Sequence, residues 1–135
     1  MRRYDQYERT LKVLSRADEQ DLSNEFVQSG VIDKFSLQFE LGWKTLKGLL
    51  CYEGDASAAT GSPRDVLKSA YRCFGFIDED VWLAMLQDRN TITHLYDEGA
   101  VLALLGRILD GYIPAFQQLR DAIETRYGET LRLID

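Results

Sequence analysis

The sequence predicts an all-α protein, an up-and-down bundle of about five helices. Two observations carry this. Apolar residues recur at three- and four-residue steps along long segments, the spacing of one helix face. Only two prolines occur in 135 residues, so long periodic stretches run unbroken between them. Hydrophobic residues make up 45% of the chain, enough for one core in a domain of this size. The whole of residues 1–135 reads as one domain, with no repeat, low-complexity tract or linker.

The elements follow in order. Residues 3 to about 16 carry Tyr4, Tyr7, Leu11 and Leu14 on one stripe. The polar stretch from Ala17 to Asn24 contains a turn, and Ser23 or Asn24 is placed to cap the next helix. Residues 25 to about 52 form the strongest periodic segment, with Val31, Phe35, Phe39, Trp43, Leu46 and Leu50 on one face and Ile32 and Leu49 widening it. Gly42 inside this pattern costs up to about 1 kcal/mol against alanine, which close approach of another helix would offset. Glu40 and Lys44 stand four apart in the favourable order. Gly54 to Gly61 is a loop, and Ser62-Pro63 supplies an N-cap followed by proline at the first helical position. That helix runs to about Cys73 and stops near Gly75. Asp78 or Asp80 opens the next, whose apolar face is Val81, Met85, Ile92 and Leu95 with Trp82 and Leu86 beside it. Asp97-Glu98 opens a last long helix with the stripe Val101, Leu105, Ile108, Tyr112, Phe116, Leu119 and Ile123. Pro114 falls inside it and predicts a kink eased by Gly111. The tail from Gly128 is expected to fray.

Charge and cysteine usage exclude several functions. Twenty-two acidic residues against 16 basic give a net charge of −6, opposite to the broad basic surface of a dedicated nucleic-acid binder. A small basic pocket on an acidic body remains compatible. Cys51 and Cys73 form no CxxC and have no histidine at ligand spacing, so neither a structural zinc site nor a disulfide scaffold is expected. Both are expected in or near the core. No metal or cofactor is predicted. Without an apolar leader, and with no apolar run approaching the roughly 20 residues of a bilayer span, the expectation is a soluble cytoplasmic protein.

The chemistry concentrates in residues 89–98, Arg-Asn-Thr-Ile-Thr-His-Leu-Tyr-Asp-Glu, which hold the only histidine of the chain. Arg89 offers a planar fork for phosphate. Imidazole is the side chain that titrates near neutral pH, so His94 is the candidate acid or base. Asn90 would orient the ring or the phosphate, and Tyr96 would stack, hydrogen bond or be modified. On RNA, the step open to this set is removal of the 2′-hydroxyl proton and attack of that oxygen on the adjacent phosphate, which needs no metal. Arg89 and His94 are five residues apart and project about 140° from each other on an ideal helix. They meet one cleft only if the helix end is distorted or if a second copy brings its own set, and a dimer is the simpler arrangement. The plain alternative is structural: Arg89 paired with Asp88, Asp97 or Glu98, and His94 an ordinary surface residue. Trp43 and Trp82 read as core, and Lys44, Lys47, Arg64, Lys68 and Arg72 as solvated faces.

The motif Arg89-Asn90-x3-His94-Leu95-Tyr96 resembles the signature of the HEPN superfamily of small helical proteins, and its extension to Tyr96 matches the toxin branch found in HEPN/MNT toxin–antitoxin pairs. Phe39-Glu40-Leu41-Gly42-Trp43-Lys44-Thr45-Leu46-Lys47 resembles a core block of the nucleotidyltransferase substrate-binding protein family. Ser62-Pro63-Arg64 and Trp82-Leu83-x-Met85-Leu86-x-Asp88-Arg89-Asn90 resemble its later blocks. The resemblance spans roughly residues 5 to 125. It implies a dimeric helical bundle that associates with a small nucleotidyltransferase. In the toxin branch it implies a metal-independent ribonuclease, with Arg89 and His94 catalytic, Asn90 their polar partner and Tyr96 the acceptor of a neutralising adenylyl group. The substrate-binding name implies instead a non-catalytic subunit that binds nucleotide or substrate for the partner enzyme.

Overall fold

The computed structural model describes residues 1–134. Six α-helices are present: α1 (Arg2–Leu14), α2 (Glu25–Tyr52), α3 (Pro63–Phe74), α4 (Glu79–Thr91), α5 (Glu98–Arg107) and α6 (Ile113–Tyr127). A π-helical turn over Ile108–Tyr112 joins α5 to α6, so the described residues form five rods and contain no strand. The all-α bundle expected from the periodicity is therefore what forms.

The local reasons match the sequence cues. Asn24 caps α2, its Oδ1 accepting from the backbone N–H groups of Phe26 and Val27 at 2.8 and 3.2 Å. Ser62 Oγ accepts from Asp65 N at 3.2 Å to start α3, and Gly75 ends it at φ 69°, a conformation glycine reaches without strain. Asp78 and Asp97 cap α4 and α5. These side-chain acceptors satisfy N–H groups that have no partner within the helix.

Helix α2 is the spine, in contact with α1, α3, α4 and α5. Val31, Phe35, Phe39, Trp43, Leu46 and Leu50 are all buried along it. Gly42 is where α2 meets α4: a Cβ there would lie 2.9 Å from the Trp82 ring and 3.2 Å from that of Tyr7. The close approach expected at Gly42 is thus real. Trp82 packs edge-on to Phe116 of α6 at 5.5 Å and against Phe39 at 6.0 Å. Tyr7 crosses from α1 to α6, its hydroxyl donating to the Phe116 carbonyl at 2.7 Å.

Four expectations change. Pro114 has no N–H to continue the helical ladder, and the chain absorbs the break as the π turn just before it rather than as a simple kink. The tail does not fray: Gly128–Leu133 forms 3₁₀ turns, Leu131 and Ile134 are buried, and the Met1 ammonium donates to the Leu131 carbonyl at 2.7 Å. Cys51 and Cys73 are exposed rather than in the core, because each falls on the outer face of its helix. Finally, the fused rod from Glu98 to Leu133 is by length and composition apolar enough to cross a membrane. Arg107 and Asp110 hide this in the linear sequence. Its side chains Leu104, Ile108, Phe116, Leu119 and Ile123 are core residues, and 39% of the apolar window is buried.

Candidate functional site

The residues that carry the chemistry lie where α4 ends. The helix stops at Thr91, inside the β-branched run Thr91-Ile92-Thr93, which propagates a helix poorly. The Thr91 hydroxyl turns back to the carbonyls of Gln87 and Asp88, both at 3.2 Å. Residues Ile92–His94 continue as a single 3₁₀ turn, and the chain leaves helical geometry at Leu95 (φ −84°, ψ 89°) before Asp97 caps α5. The helix end is therefore distorted, one of the two arrangements that the spacing left open. Arg89 and Asn90 are helical; His94 sits on the turn; Tyr96 lies beyond it. The 140° separation of an ideal helix does not apply.

Arg89 is held on three sides. Its guanidinium carbon stands 5.3 Å from the Phe39 ring centroid, its Nε donates to Asn90 Oδ1 at 3.2 Å, and its Nη1 donates to Glu40 Oε2 in a short, charged bond. Its side chain keeps 25% of its accessible surface. Neither Asp88, Asp97 nor Glu98 takes it. Asp88 is committed elsewhere, gripped by both Nε and Nη2 of Arg107 at 2.8 and 3.0 Å and accepting the Tyr112 hydroxyl. That cluster ties α4 to α5 and the π turn directly behind Arg89. Burial, and then the bond to Asp88, push the Tyr112 phenol up to about 12.

For Glu40, helical spacing found one partner, Lys44, and missed the others. That pair exists, Nζ to Oε1 at 3.1 Å, but the other carboxylate oxygen accepts from both Trp43 Nε1, at 3.0 Å, and Arg89. Burial raises the Glu40 carboxyl pKa, and the bonds from Trp43 and Lys44 and the charge of Arg89 outweigh it, so the group ends below its ordinary range. The one sequence signal for this role was the Phe39-Glu40-x-x-Trp43-Lys44 block itself.

His94 and Tyr96 form a second, outward group. His94 is exposed, and its ring meets that of Tyr96 edge-on at 6.5 Å. Tyr96 is 86% exposed. Among the described residues no hydrogen bond joins Arg89 to His94. Tyr96, Leu95 and Asp97 also border a groove of about 470 Å³ against the start of α2, where Glu25 and Asp33 add acid. Neither Arg89 nor His94 lines it, and its charge opposes a phosphate. The chain therefore presents a fixed guanidinium and an exposed imidazole–phenol pair on one short segment.

Small all-helical proteins of HEPN type are the class that this fold and motif define. A family model described as "Nucleotidyltransferase substrate binding protein like" matches residues 2–125, and the chain belongs to that family, in its HepT-like HEPN branch. A curated relative from Haemophilus influenzae, named "Probable ribonuclease HepT", is 32% identical over 124 residues, covering 84% of this chain and 84% of the relative.

Proposed function

We propose that the protein is a metal-independent endoribonuclease, the toxin of a toxin–antitoxin pair. Arg89 binds the scissile phosphate and stabilises the charge that develops on it. His94 takes the proton from the 2′-hydroxyl; the 2′-oxygen attacks phosphorus, the P–O5′ bond breaks, and the leaving 5′-oxygen takes up a proton from water. Asn90 orients the guanidinium through its Oδ1. Two copies of the chain pair so that the Arg89 and His94 groups of both face one cleft. A small nucleotidyltransferase is the partner and neutralises the toxin by adenylylating Tyr96, whose exposure suits an acceptor. The activity belongs in the cytoplasm, where RNA and this partner meet.

The observation that carries the reading is the exposed His94 five residues after a guanidinium held by Phe39, Asn90 and Glu40, in a chain 32% identical to a protein named a probable ribonuclease. The test is incubation of the purified protein, without partner, with RNA in the presence of EDTA. Cleavage leaving 2′,3′-cyclic phosphate and 5′-hydroxyl ends is expected, and its loss in Arg89→Ala and His94→Ala. Intact RNA, or cleavage that EDTA abolishes, refutes it.

The family description favours a second reading, a non-catalytic subunit that binds substrate or nucleotide for a nucleotidyltransferase. It predicts a stable complex on co-expression and a change in the partner's nucleotide affinity, with RNA untouched by the free protein.

A further inference from the structure

We infer that Glu40 is the positioning residue of the site, holding the Arg89 guanidinium at the angle in which its open edge meets a phosphate; this deepens the ribonuclease reading and rests on it.

The geometry is specific. An exposed ion pair between two flexible side chains contributes little, but here neither partner is free to wander. Glu40 is oriented by two contacts besides Arg89: the Trp43 indole at 3.0 Å and the Lys44 ammonium at 3.1 Å. Trp43 is itself buried, so the carboxylate is anchored to the core. Arg89 in turn lies over Phe39 and is tied at Nε by Asn90. Glu40 takes Nη1. Among the described residues nothing takes Nη2, so the fork has one edge left, aimed by the other contacts. A preorganised donor gains its catalytic value because no reorganisation is needed when charge develops. The carboxylate also subtracts charge beside the phosphate, which weakens ground-state binding of RNA. Positioning and affinity therefore pull in opposite directions, and this opposition is the signature to test.

Glu40→Gln keeps the size and one acceptor oxygen and removes the charge. Its expected effect on RNA cleavage is a fall in kcat of about tenfold to a hundredfold, the scale of a small misplacement, with KM unchanged or lower. Glu40→Asp, which restores charge one methylene short, should recover part of kcat. In parallel, the Arg89 Nε–Hε signal in a ¹H–¹⁵N spectrum of the full chain, assigned by its absence in Arg89→Lys, should broaden and exchange faster with water in Glu40→Gln. Thermal unfolding of each variant identifies any that fails to fold. Wild-type kcat in Glu40→Gln, a KM that rises in step with the loss, or an unchanged Arg89 signal overturns the inference. If wild-type protein leaves RNA uncut, the ribonuclease reading falls alone; the Arg89 signal still decides whether Glu40 holds the guanidinium.

Discussion

A guanidinium carries five donors, and Arg89 gives its own chain only Nε and Nη1. What remains suits a two-point grip on a phosphate, which an ammonium cannot reproduce. Arg89→Lys should therefore lose most RNA cleavage while the protein unfolds near the wild-type temperature, since a lysine keeps the charge next to Glu40 without the fork; an active lysine variant would mean that charge alone suffices. The same cluster predicts an acid limit. A carboxylate whose folded pKa is depressed adds stability that is fully present above its unfolded value, about 4.3, and is lost as pH falls through the folded one. Glu40 is such a group. Below about pH 4 the melting temperature of the wild type should fall more steeply than that of Glu40→Gln, and parallel curves would show that the pair adds nothing to the folded state. This link was not legible in the sequence. Helical spacing exposes neighbours three or four apart, so it found Glu40 with Lys44; Arg89 lies 49 residues away, and only tertiary packing joins them.

Helices were legible where a cap and an apolar stripe coincided, as for α2, whose limits at Glu25 and Tyr52 follow from Asn24 and the glycine-rich loop after it. They were not where local chemistry competed with periodicity. The stripe of α4 runs on through Ile92 and Leu95, yet the helix ends at Thr91 because threonine hydroxyls and β-branching favour leaving it and Asp97 starts another. The catalytic candidates owe their placement to that early exit. Two substitutions probe the packing that frames it. Gly42→Ala puts a methyl against the fully buried Trp82; overpacking of about 1–3 kcal/mol exceeds the gain in helix propensity of up to about 1 kcal/mol. The variant should melt lower, and a higher melting temperature would show that the Trp82 ring yields freely. Asp88→Ala strands the buried Tyr112 hydroxyl, a loss of about 1–3 kcal/mol for a buried polar group left unpaired, measurable as a lower denaturation midpoint with an unchanged slope; the exposed Arg107 pair adds little.

The whole molecule is acidic, −6 overall, and that constrains how it can meet RNA. A binder that tracks a strand neutralises many phosphates and loses affinity steeply with salt, by about 0.7 in log K per phosphate per decade for single strands. Here half of the 16 basic residues pair with carboxylates among the described residues, as Arg107 does with Asp88 and Lys68 with Glu79. The acidic groove beside Tyr96 adds repulsion on that flank. On the ribonuclease reading the Arg89 edge receives the phosphate, once per chain, or twice if two copies share a cleft. Binding of a short single-stranded RNA to the His94→Ala protein, which should not cut it, is therefore expected to show a log K against log salt slope of about −1, for one or two phosphates. Arg89→Ala should flatten that slope by about 0.7, the share of a single contact. Titrations by fluorescence anisotropy across a series of salt concentrations would measure both. A slope several times steeper, insensitive to Arg89, would place the RNA on a broad cationic surface that this acidic bundle would have to assemble from residues far from the end of α4.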